Sequence, residues 1–285
     1  MRKYLVIGNP IGHSLSPLIH NHWMKKYHLS DSVYEKRKIE EKDLKNIIEE
    51  IRKDEVVGVN VTVPFKKLII PFLDQLDFSA EETQSVNTLF KVNNKIVGYN
   101  TDRDGFVDTI REIYPRSNNP IMSRPLEGIR IFILGAGGVT SSIISALKSE
   151  GADNIILSNR TKGKANELKK QFPELEVIDW GKKPSNSNIV INTTSVGLAK
   201  EEELKIDFSD YDKNSHKNFL FYDLIYNPKE TVFLKKARLR GNKTMNGKMM
   251  FLNQAKYAFN IWTNIMPEID NDVIKLLDWW LRLEF

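Results

Sequence analysis

A short apolar run followed by a glycine-rich turn constrains this chain more than any other feature. Residues 129–134 read Ile-Arg-Ile-Phe-Ile-Leu, which is typical of a buried parallel strand. Glycines follow at positions 135, 137 and 138, and apolar residues then recur at helical spacing over 139–147. The pattern predicts a strand, a tight turn and a helix, which is the context in which a glycine turn binds a dinucleotide.

The glycines of this turn have distinct expected roles. Gly135 permits the tight turn, and Gly137 lets a pyrophosphate approach the backbone. The helix that follows offers free N–H groups and partial positive charge to the anion. Thr140 stands where the usual pattern has a third glycine. A purely structural loop is the alternative, and the next strand bears on the choice.

The end of the next strand, 154–158, is where the cofactor ribose is expected. An NAD enzyme places a carboxylate there, whereas this chain continues with Asn159, Arg160, Thr161, Lys162 and Lys164. A guanidinium binds a 2′-phosphate through two charge-assisted hydrogen bonds. The sequence therefore favours NADP. The alternative is a helix capped by Thr161 with solvated charges beside it.

Composition restricts the class of protein. With 285 residues, 41% hydrophobic and 28% charged, the chain is expected to form one large or two modest globular domains. It has no cysteine, and its apolar runs are too short to span a membrane, so a cytoplasmic protein is expected. The net charge is +5, and the Lys and Arg residues are interleaved with Asp and Glu rather than clustered. This pattern favours acidic small molecules over nucleic acid as binding partners. The histidine spacing matches no metal motif, and no metal is expected.

Two serines lie where the first strand is expected to lead into a helix. Ser14 and Ser16 precede Pro17, which is well suited to the first helical position. Two hydroxyls at such a turn can hold a carboxylate. The simpler interpretation is a turn with Ser16 as the helix cap.

A second polar motif follows a β-branched strand at 56–63. Asn60 and Thr62 share one face of that strand, and buried polar groups need partners, of which a ligand is one. Lys66 follows at the edge where open α/β sheets bind ligands, and a helix through residues 68–72 is expected to begin there. Because Lys67 is adjacent, two solvated lysines are the alternative.

Further along, Ser79 is expected to cap a short acidic helix, and two strands at 86–92 and 96–99 are predicted to form a hairpin around Asn93-Asn94. Asp102 then opens a helix, where capping assisted by the helix dipole is the simplest role for it. After the glycine turn, the alternation of strands and helices continues to about residue 246, and the segment 241–247 is expected to turn the chain back. Two final helices, at 249–265 and 270–283, are expected to pack back on the first domain.

Several motifs, taken in order, resemble those of the shikimate dehydrogenase family over nearly the whole chain. The matching segments are 8–21, 60–66, 86–88, 100–102, 135–138, 159–161 and 254–255. The resemblance implies an α/β protein with an N-terminal substrate domain, 1–103 plus 247–285, and a Rossmann-like NADP-binding domain, 104–246. A cleft is expected between them.

The resemblance also implies the activity: reversible, NADP(H)-dependent conversion of shikimate and 3-dehydroshikimate in chorismate and aromatic amino acid biosynthesis. The expected partner is this small-molecule substrate, and the expected assembly is a monomer or homodimer. Lys66 and Asp102 form the catalytic pair. Our hypothesis is that Lys66 transfers the proton of the C3 hydroxyl while Asp102 orients that hydroxyl, and the alternative is that Asp102 shares in the proton transfer.

The resemblance assigns binding roles residue by residue. Those expected to bind the substrate are Ser14, Ser16, Thr62, Asn87, Tyr226 and Gln254. Those expected to bind the cofactor are Gly135, Ala136, Gly137, Gly138, Val139, Asn159, Arg160, Thr161, Lys164, Leu224 and Gly247.

The sequence departs from the family pattern at Arg103, at 83–85 and at Met249, none of which is assigned to the chemistry. A quinate or mixed quinate/shikimate dehydrogenase is the first alternative, although the retained Ser14 favours shikimate. A non-catalytic NADP-binding regulatory homologue is a second, which the presence of both Lys66 and Asp102 disfavours. An unrelated two-domain dehydrogenase, such as a folate enzyme, is disfavoured by the serine-rich opening motif.

Overall fold

The computed structural model describes residues 1–116, 124–183, 186–199, 202–205, 207, 209–211 and 219–283. The chain divides into two compact units. The first comprises Met1–Phe106 with Leu252–Phe285, and the second comprises Val107–Phe251.

The first unit is built on a mixed sheet. Its strands are β1 Arg2–Gly8, β2 Ser32–Lys38, β3 Gly58–Val61, β4 Gln75–Leu76, β5 Thr88–Val92 and β6 Lys95–Tyr99. They lie in the order β2-β1-β3-β5-β6-β4. The first three are parallel, β5 is antiparallel to both its neighbours, and β4 is parallel to β6. The short strand β4 was not predicted.

The β5–β6 hairpin forms as predicted around Asn93 and Asn94. Their φ values are 48° and 65°, so both occupy the left-handed region that a tight two-residue turn requires. Asparagine tolerates this conformation better than most residues. The local sequence was sufficient here because the turn geometry depends only on these two residues.

The helices of the first half are α1 Ser16–Lys26, α2 Leu44–Arg52, α3 Phe78–Thr83 and α4 Thr101–Ile113. Two sequence-based details were wrong. Helix α1 already includes Ser16, and Leu15 is its cap residue. Helix α3 is capped by Asp77, whose carboxylate accepts from the Ser79 N–H at 3.0 Å.

A helix through residues 68–72 was also predicted, but only a short 3₁₀ turn forms there, at Ile70–Phe72. Pro71 has no N–H to donate, so an α-helical ladder cannot run through it. The segment instead leaves β3 through turns, including hydrogen bonds from Phe65 N to Thr62 O and from Ile69 N to Phe65 O.

The second unit has a wholly parallel sheet. Its strands are β7 Arg130–Leu134, β8 Asn154–Ser158, β9 Glu176–Ile178, β10 Ile189–Asn192, β11 Leu220–Asp223 and β12 Lys243–Met245. They lie in the order β12-β11-β10-β7-β8-β9. This is the doubly wound order: from β7, successive strands are added first on one side of the sheet and then, from β10 onward, on the other. Ligands bind at such a switch point, at the carboxyl ends of the strands.

The helices of this unit are α5 Thr140–Ser149, α6 Lys162–Gln171 and α7 Val232–Leu239. The glycine turn therefore lies between β7 and α5, as predicted. Strand β12 was predicted only as a return of the chain.

Two helices close the chain: α8 Lys248–Thr263 and α9 Asn271–Leu283. The Trp262 indole of α8 donates to the Leu89 carbonyl of β5 at 3.0 Å, and Lys26 of α1 pairs with Asp270 at 2.6 Å. The C-terminal helices thus pack on the first unit, as predicted. Among the helices of the described ranges, none has the length and apolar content that crossing a bilayer requires.

Candidate active site

Lys66 and Asp102 form a close ion pair in the first unit. Lys66 follows β3, and Asp102 lies in the first turn of α4. The Lys66 Nζ is 2.5 Å from Asp102 Oδ2, and the two side chains are only 12% and 9% exposed. The neighbouring Lys67 is exposed. The two lysines are therefore not an equivalent solvated pair.

The backbone around β5 brings these two side chains together. The Val86 N–H donates to the Lys66 carbonyl at 2.9 Å, and the Asn87 N–H donates to the Tyr99 carbonyl at 3.0 Å. The segment before β5 is thereby hydrogen-bonded both to the turn that carries Lys66 and to the end of β6. Because α4 starts two residues after Tyr99, its first turn lies beside the same segment.

Asp102 does not serve as the helix cap. The Asn100 side-chain oxygen accepts from the Arg103 N–H at 3.3 Å, and the Asn87 side-chain oxygen accepts from the Thr101 N–H at 2.8 Å. The Asp102 carboxylate instead accepts from Lys66 and, at 3.0 Å, from Asn87 Nδ2. The capping interpretation of Asp102 was therefore wrong.

Asn60 is buried and bonded within the protein. Its side-chain oxygen accepts from the Tyr34 hydroxyl at 2.6 Å, and its amide nitrogen donates to Asn87 O and Thr88 Oγ1. The partners that its position on a buried strand required are thus protein groups. Thr62, two residues further along, is half-buried.

The serines lie where β1 leads into α1. Ser16 is buried, and its N–H donates to Ser14 Oγ at 3.4 Å. The hydroxyl that accepts a helix N–H is therefore that of Ser14 rather than Ser16.

Gln254 lies on α8 beside Gly105 of α4. A Cβ at Gly105 would lie 2.7 Å from the Gln254 backbone nitrogen. Only glycine allows the helix that carries Gln254 to approach α4 this closely.

In the second unit, the glycine turn is held by side chains around it. Gly135 has φ +108°, and its N–H donates to the Ser158 carbonyl at 2.9 Å. The Ala136 N–H donates to Asn159 Oδ1 at 3.1 Å, and the Gly137 N–H donates to Thr140 Oγ1 at 3.0 Å. Thr140, at the position of the missing third glycine, therefore stabilises the turn with its hydroxyl.

The arrangement after β8 fits NADP. Lys162 pairs with Asp179, whereas Arg160 and Lys164 are exposed and form no ion pair with the carboxylates of the described residues. These two cations are available to a 2′-phosphate. Among the described residues beyond its chain neighbours, the atom nearest to a Cβ at Gly137 would be the Thr193 carbonyl oxygen, at 4.0 Å, so the backbone there is open to a diphosphate. Gly138 and Val139 complete the turn, and Thr161 makes no side-chain cap bond.

The remaining predicted residues lie after β11. A Cβ at Gly247 would overlap the Leu224 carbonyl oxygen, so the two backbones are in direct contact. The Gly247 N–H donates to Ile225 O at 3.1 Å. Tyr226 stacks on Phe251 with ring centroids 4.6 Å apart and planes 22° apart.

Asp223 was not singled out from the sequence, although it lies at the centre of this region. Its fully buried carboxylate accepts from Asn192 Nδ2 at 3.0 Å, Ile225 N at 3.1 Å and Thr231 Oγ1 at 2.6 Å. Burial raises the pKa of this carboxyl group to about 6, because the three donors are neutral and only partly offset the desolvation. The signal in the sequence was an aspartate that ends an otherwise apolar strand.

Comparison with known proteins identifies relatives over the full length of the chain. A family model described as the shikimate dehydrogenase substrate binding domain matches residues 6–89, and one described as shikimate / quinate 5-dehydrogenase matches residues 120–230. A Pelagibacter ubique protein named shikimate dehydrogenase (NADP(+)) is 50% identical, over 97% of this chain and 99% of its own.

Solved structures agree in fold. The shikimate dehydrogenase of Aquifex aeolicus is 36% identical with a TM-score of 0.84, over 97% of both chains. A shikimate 5-dehydrogenase from Thermus thermophilus, solved with NADP(H) and shikimate, is 27% identical with a TM-score of 0.78, over the whole of both chains.

Proposed function

The chain belongs to the shikimate dehydrogenase family, and from that premise we propose that it interconverts shikimate and 3-dehydroshikimate with NADP(H). This is an oxidoreductase reaction of the shikimate pathway, leading to chorismate and the aromatic amino acids. The observation that carries the proposal is the buried Lys66–Asp102 pair, which places a proton-transfer group beside a carboxylate.

Within this pair, the neutral amine of Lys66 takes the proton from the C3 hydroxyl of shikimate, and the ammonium formed returns it in the reverse direction. Asp102 accepts a hydrogen bond from Lys66 and so orients the hydroxyl toward that amine. The carboxylate suits this role because Asn87 and Lys66 already hold both its oxygens in place.

The substrate-binding residues carry hydroxyl or amide groups that match the carboxylate and ring hydroxyls of shikimate. Ser14 and Ser16 bind the carboxylate, and the other contributors are Thr62, Asn87, Tyr226 and Gln254. Asn87 donates to Thr101 and Asp102 in the free protein. On binding, Asn87 exchanges its contact with Thr101 for the substrate and keeps its contact with Asp102.

When bound, NADP supplies the hydride acceptor of the reaction. Arg160, with Lys164, binds its 2′-phosphate, and the glycine turn with the start of α5 binds its diphosphate. The other contributors are Gly135, Ala136, Gly137, Gly138, Val139, Asn159, Thr161, Leu224 and Gly247.

We extend the proposal to domain roles: residues 1–103 with 247–285 bind the substrate, and residues 104–246 bind NADP. The pathway and the absence of cysteine favour a cytoplasmic enzyme. For the assembly we propose a monomer or a homodimer.

The test is a spectrophotometric assay of NADPH formation with shikimate or quinate, each paired with NADP or NAD. We expect turnover with shikimate and NADP and little with the other pairs. Turnover chiefly with quinate would make the protein a quinate dehydrogenase, an activity that one matching family model also names.

The catalytic assignment is tested with Lys66→Ala and, as the matched control, the exposed neighbour Lys67→Ala. General acid–base catalysis contributes about 10²- to 10⁴-fold, so Lys66→Ala should lose at least a hundredfold in kcat. Lys67→Ala should retain wild-type kcat. Near-wild-type turnover by Lys66→Ala with intact shikimate binding would contradict the assignment.

A further inference from the structure

Three buried polar side chains lie in line with the catalytic pair, and the proposed reaction assigns them no role. They are Thr88 of β5, Asn60 of β3 and Tyr34 of β2. Thr88 Oγ1 lies 2.9 Å from Asn87 Oδ1 and 3.0 Å from Asn60 Nδ2. The Tyr34 hydroxyl lies 2.6 Å from Asn60 Oδ1. A continuous hydrogen-bond network therefore runs from Tyr34 through Asn60, Thr88 and Asn87 to Asp102.

A neighbouring backbone group determines which way the side-chain amide of Asn87 faces in this network. The Thr101 N–H can only donate, so the group that faces it at 2.8 Å must be the Asn87 side-chain oxygen. The Asn87 NH₂ then necessarily faces Asp102 and donates to its Oδ1 at 3.0 Å. The Thr88 hydroxyl is a second donor to the Asn87 oxygen, at 2.9 Å, and the Thr101 hydroxyl lies 3.2 Å from it.

The same reasoning orients Asn60. The Asn87 backbone carbonyl can only accept, so the group that faces it at 3.1 Å must be the Asn60 NH₂. The Asn60 oxygen therefore faces Tyr34, and Tyr34 must donate its proton to it. Thr88 accepts from Asn60 and donates to Asn87.

Along this hydrogen-bond network, each side chain thus donates to the next one on the way from Tyr34 to the Asp102 carboxylate. We propose that Tyr34, Asn60 and Thr88 are positioning residues that act through Asn87 to hold Asp102 in the orientation that serves Lys66. The proposal rests on the proposed function. Aligned hydrogen bonds polarise one another in a buried site, so a change at Tyr34 is transmitted through these groups to Asp102. Asn87 Nδ2 and Thr88 Oγ1 also contact the Thr101 hydroxyl, at 2.9 and 3.5 Å.

The surroundings of Tyr34 suit a permanent donor. The residue is 1% exposed, and its ring stacks on His20 with centroids 4.3 Å apart and planes 3° apart. Burial raises the pKa of the Tyr34 phenol well above its ordinary value, so the hydroxyl keeps its proton. Neutral His20 adds no charge, since burial lowers its pKa to about 3.

The structure offers a matched control in Tyr4. Tyr4 lies directly opposite Tyr34 in the β1–β2 pair and is also fully buried. Its hydroxyl has no hydrogen-bond partner among the described residues. Tyr34→Phe and Tyr4→Phe thus remove the same hydroxyl group from neighbouring positions of one sheet, but only Tyr34→Phe interrupts the hydrogen-bond network.

The experiment compares kcat and KM for shikimate and NADP in these two variants and the wild type, with the solvent deuterium isotope effect on kcat. For Tyr34→Phe we expect kcat to fall about five- to tenfold and the isotope effect to increase, because proton transfer slows. KM for NADP should stay unchanged. Tyr4→Phe should match the wild type in all four quantities.

Thr88→Val and Thr88→Ser give a second, independent test at the middle of the hydrogen-bond network. Thr88→Val keeps the shape but removes the hydroxyl, and should reproduce the Tyr34→Phe kinetics. Thr88→Ser restores the hydroxyl and should restore kcat. This pair decides the question if Tyr34→Phe does not fold.

A purely structural role would lower the melting temperature or the yield of active enzyme without changing the isotope effect. That result, or wild-type kcat in Tyr34→Phe and Thr88→Val, would overturn the proposal while leaving the proposed function intact. A wild-type enzyme that does not oxidise shikimate with NADP would instead overturn the proposed function, and the positioning role with it.

Discussion

Alanine substitution at the two glycines of the β7–α5 turn should have opposite effects on stability. Gly135 and Gly137 are two residues apart in the sequence, yet their surroundings differ. Gly135 has φ +108° and is closely packed, whereas Gly137 lies outside the positive-φ range and has open space at its missing Cβ. The pair therefore separates the contribution of the turn to folding from its contribution to cofactor binding.

The cost at Gly135 follows from its conformation and its neighbours. A non-glycine residue at φ +108° costs about 1–3 kcal/mol. The added Cβ would lie 2.6 Å from Thr193 Oγ1 and 2.9 Å from Thr194 Cγ2. Thr193 cannot move aside freely, because its hydroxyl is bonded to Leu134 O and Thr140 Oγ1. Such overpacking adds about 1–3 kcal/mol. We expect Gly135→Ala to lose about 2–6 kcal/mol of a total stability of about 5–15 kcal/mol.

Gly137→Ala meets no comparable obstacle in the free protein. The nearest atom to its added Cβ is the Thr193 carbonyl oxygen at 4.0 Å. At an unstrained position, replacing glycine by alanine stabilises by about 0.4–1 kcal/mol, because the unfolded chain loses freedom. The same methyl would occupy space that the NADP diphosphate needs, so we expect its Kd for NADP to rise at least about tenfold.

The assay has two parts: urea unfolding without cofactor, and NADPH binding measured by its fluorescence. Gly135→Ala should unfold at lower urea than the wild type. Gly137→Ala should unfold at equal or higher urea and bind NADPH more weakly. Wild-type NADPH affinity in Gly137→Ala would refute the placement of the diphosphate, and an unchanged urea midpoint in Gly135→Ala would refute the steric argument.

Two further predictions concern charged groups of the second unit. Arg160→Ala should raise KM for NADP about tenfold or more and leave KM for NAD unchanged, because only NADP carries the 2′-phosphate; equal effects on both cofactors in steady-state assays would contradict this. The native state holds the proton of Asp223 more tightly than the unfolded state, since its pKa rises from 3.8 to about 6. The resulting stabilisation, about 3 kcal/mol, is present below pH 4 and is lost as the pH rises through 6. Urea unfolding between pH 4 and 7.5 should show this loss in the wild type but not in Asp223→Asn, and parallel curves would rule out the titration.

The architecture was largely predictable because it depends on residues close together in the sequence. The parallel strands of the second unit are continuous apolar runs, and the β7–α5 turn follows from the glycines between a strand and a helix. The Asn93-Asn94 hairpin likewise needs only its own two turn residues. Prediction failed where a single residue changed the local outcome, as at Pro71, or where a residue close to the predicted cap takes that position, as Asp77 does in place of Ser79.

The candidate site was only partly predictable. The sequence, through its resemblance to a family, identified Lys66 and Asp102, but the residues alone left a solvated lysine and a helix cap as alternatives. The two residues are 36 positions apart, and their pairing depends on hydrogen bonds of residues 86 and 87 to two other segments. The binding roles assigned to the other site residues stay predictions.

By itself, the sequence determined the order of strands and helices, the glycine turn and the absence of a carboxylate after β8, since each depends on the nature and spacing of neighbouring residues. Only the tertiary structure decided which buried polar groups meet. Asn60 bonds Tyr34 and Thr88, and the described donors to the buried Asp223 carboxylate are all neutral. Desolvation and hydrogen-bond direction depend on atoms that folding brings together from distant segments, and no local pattern encodes them.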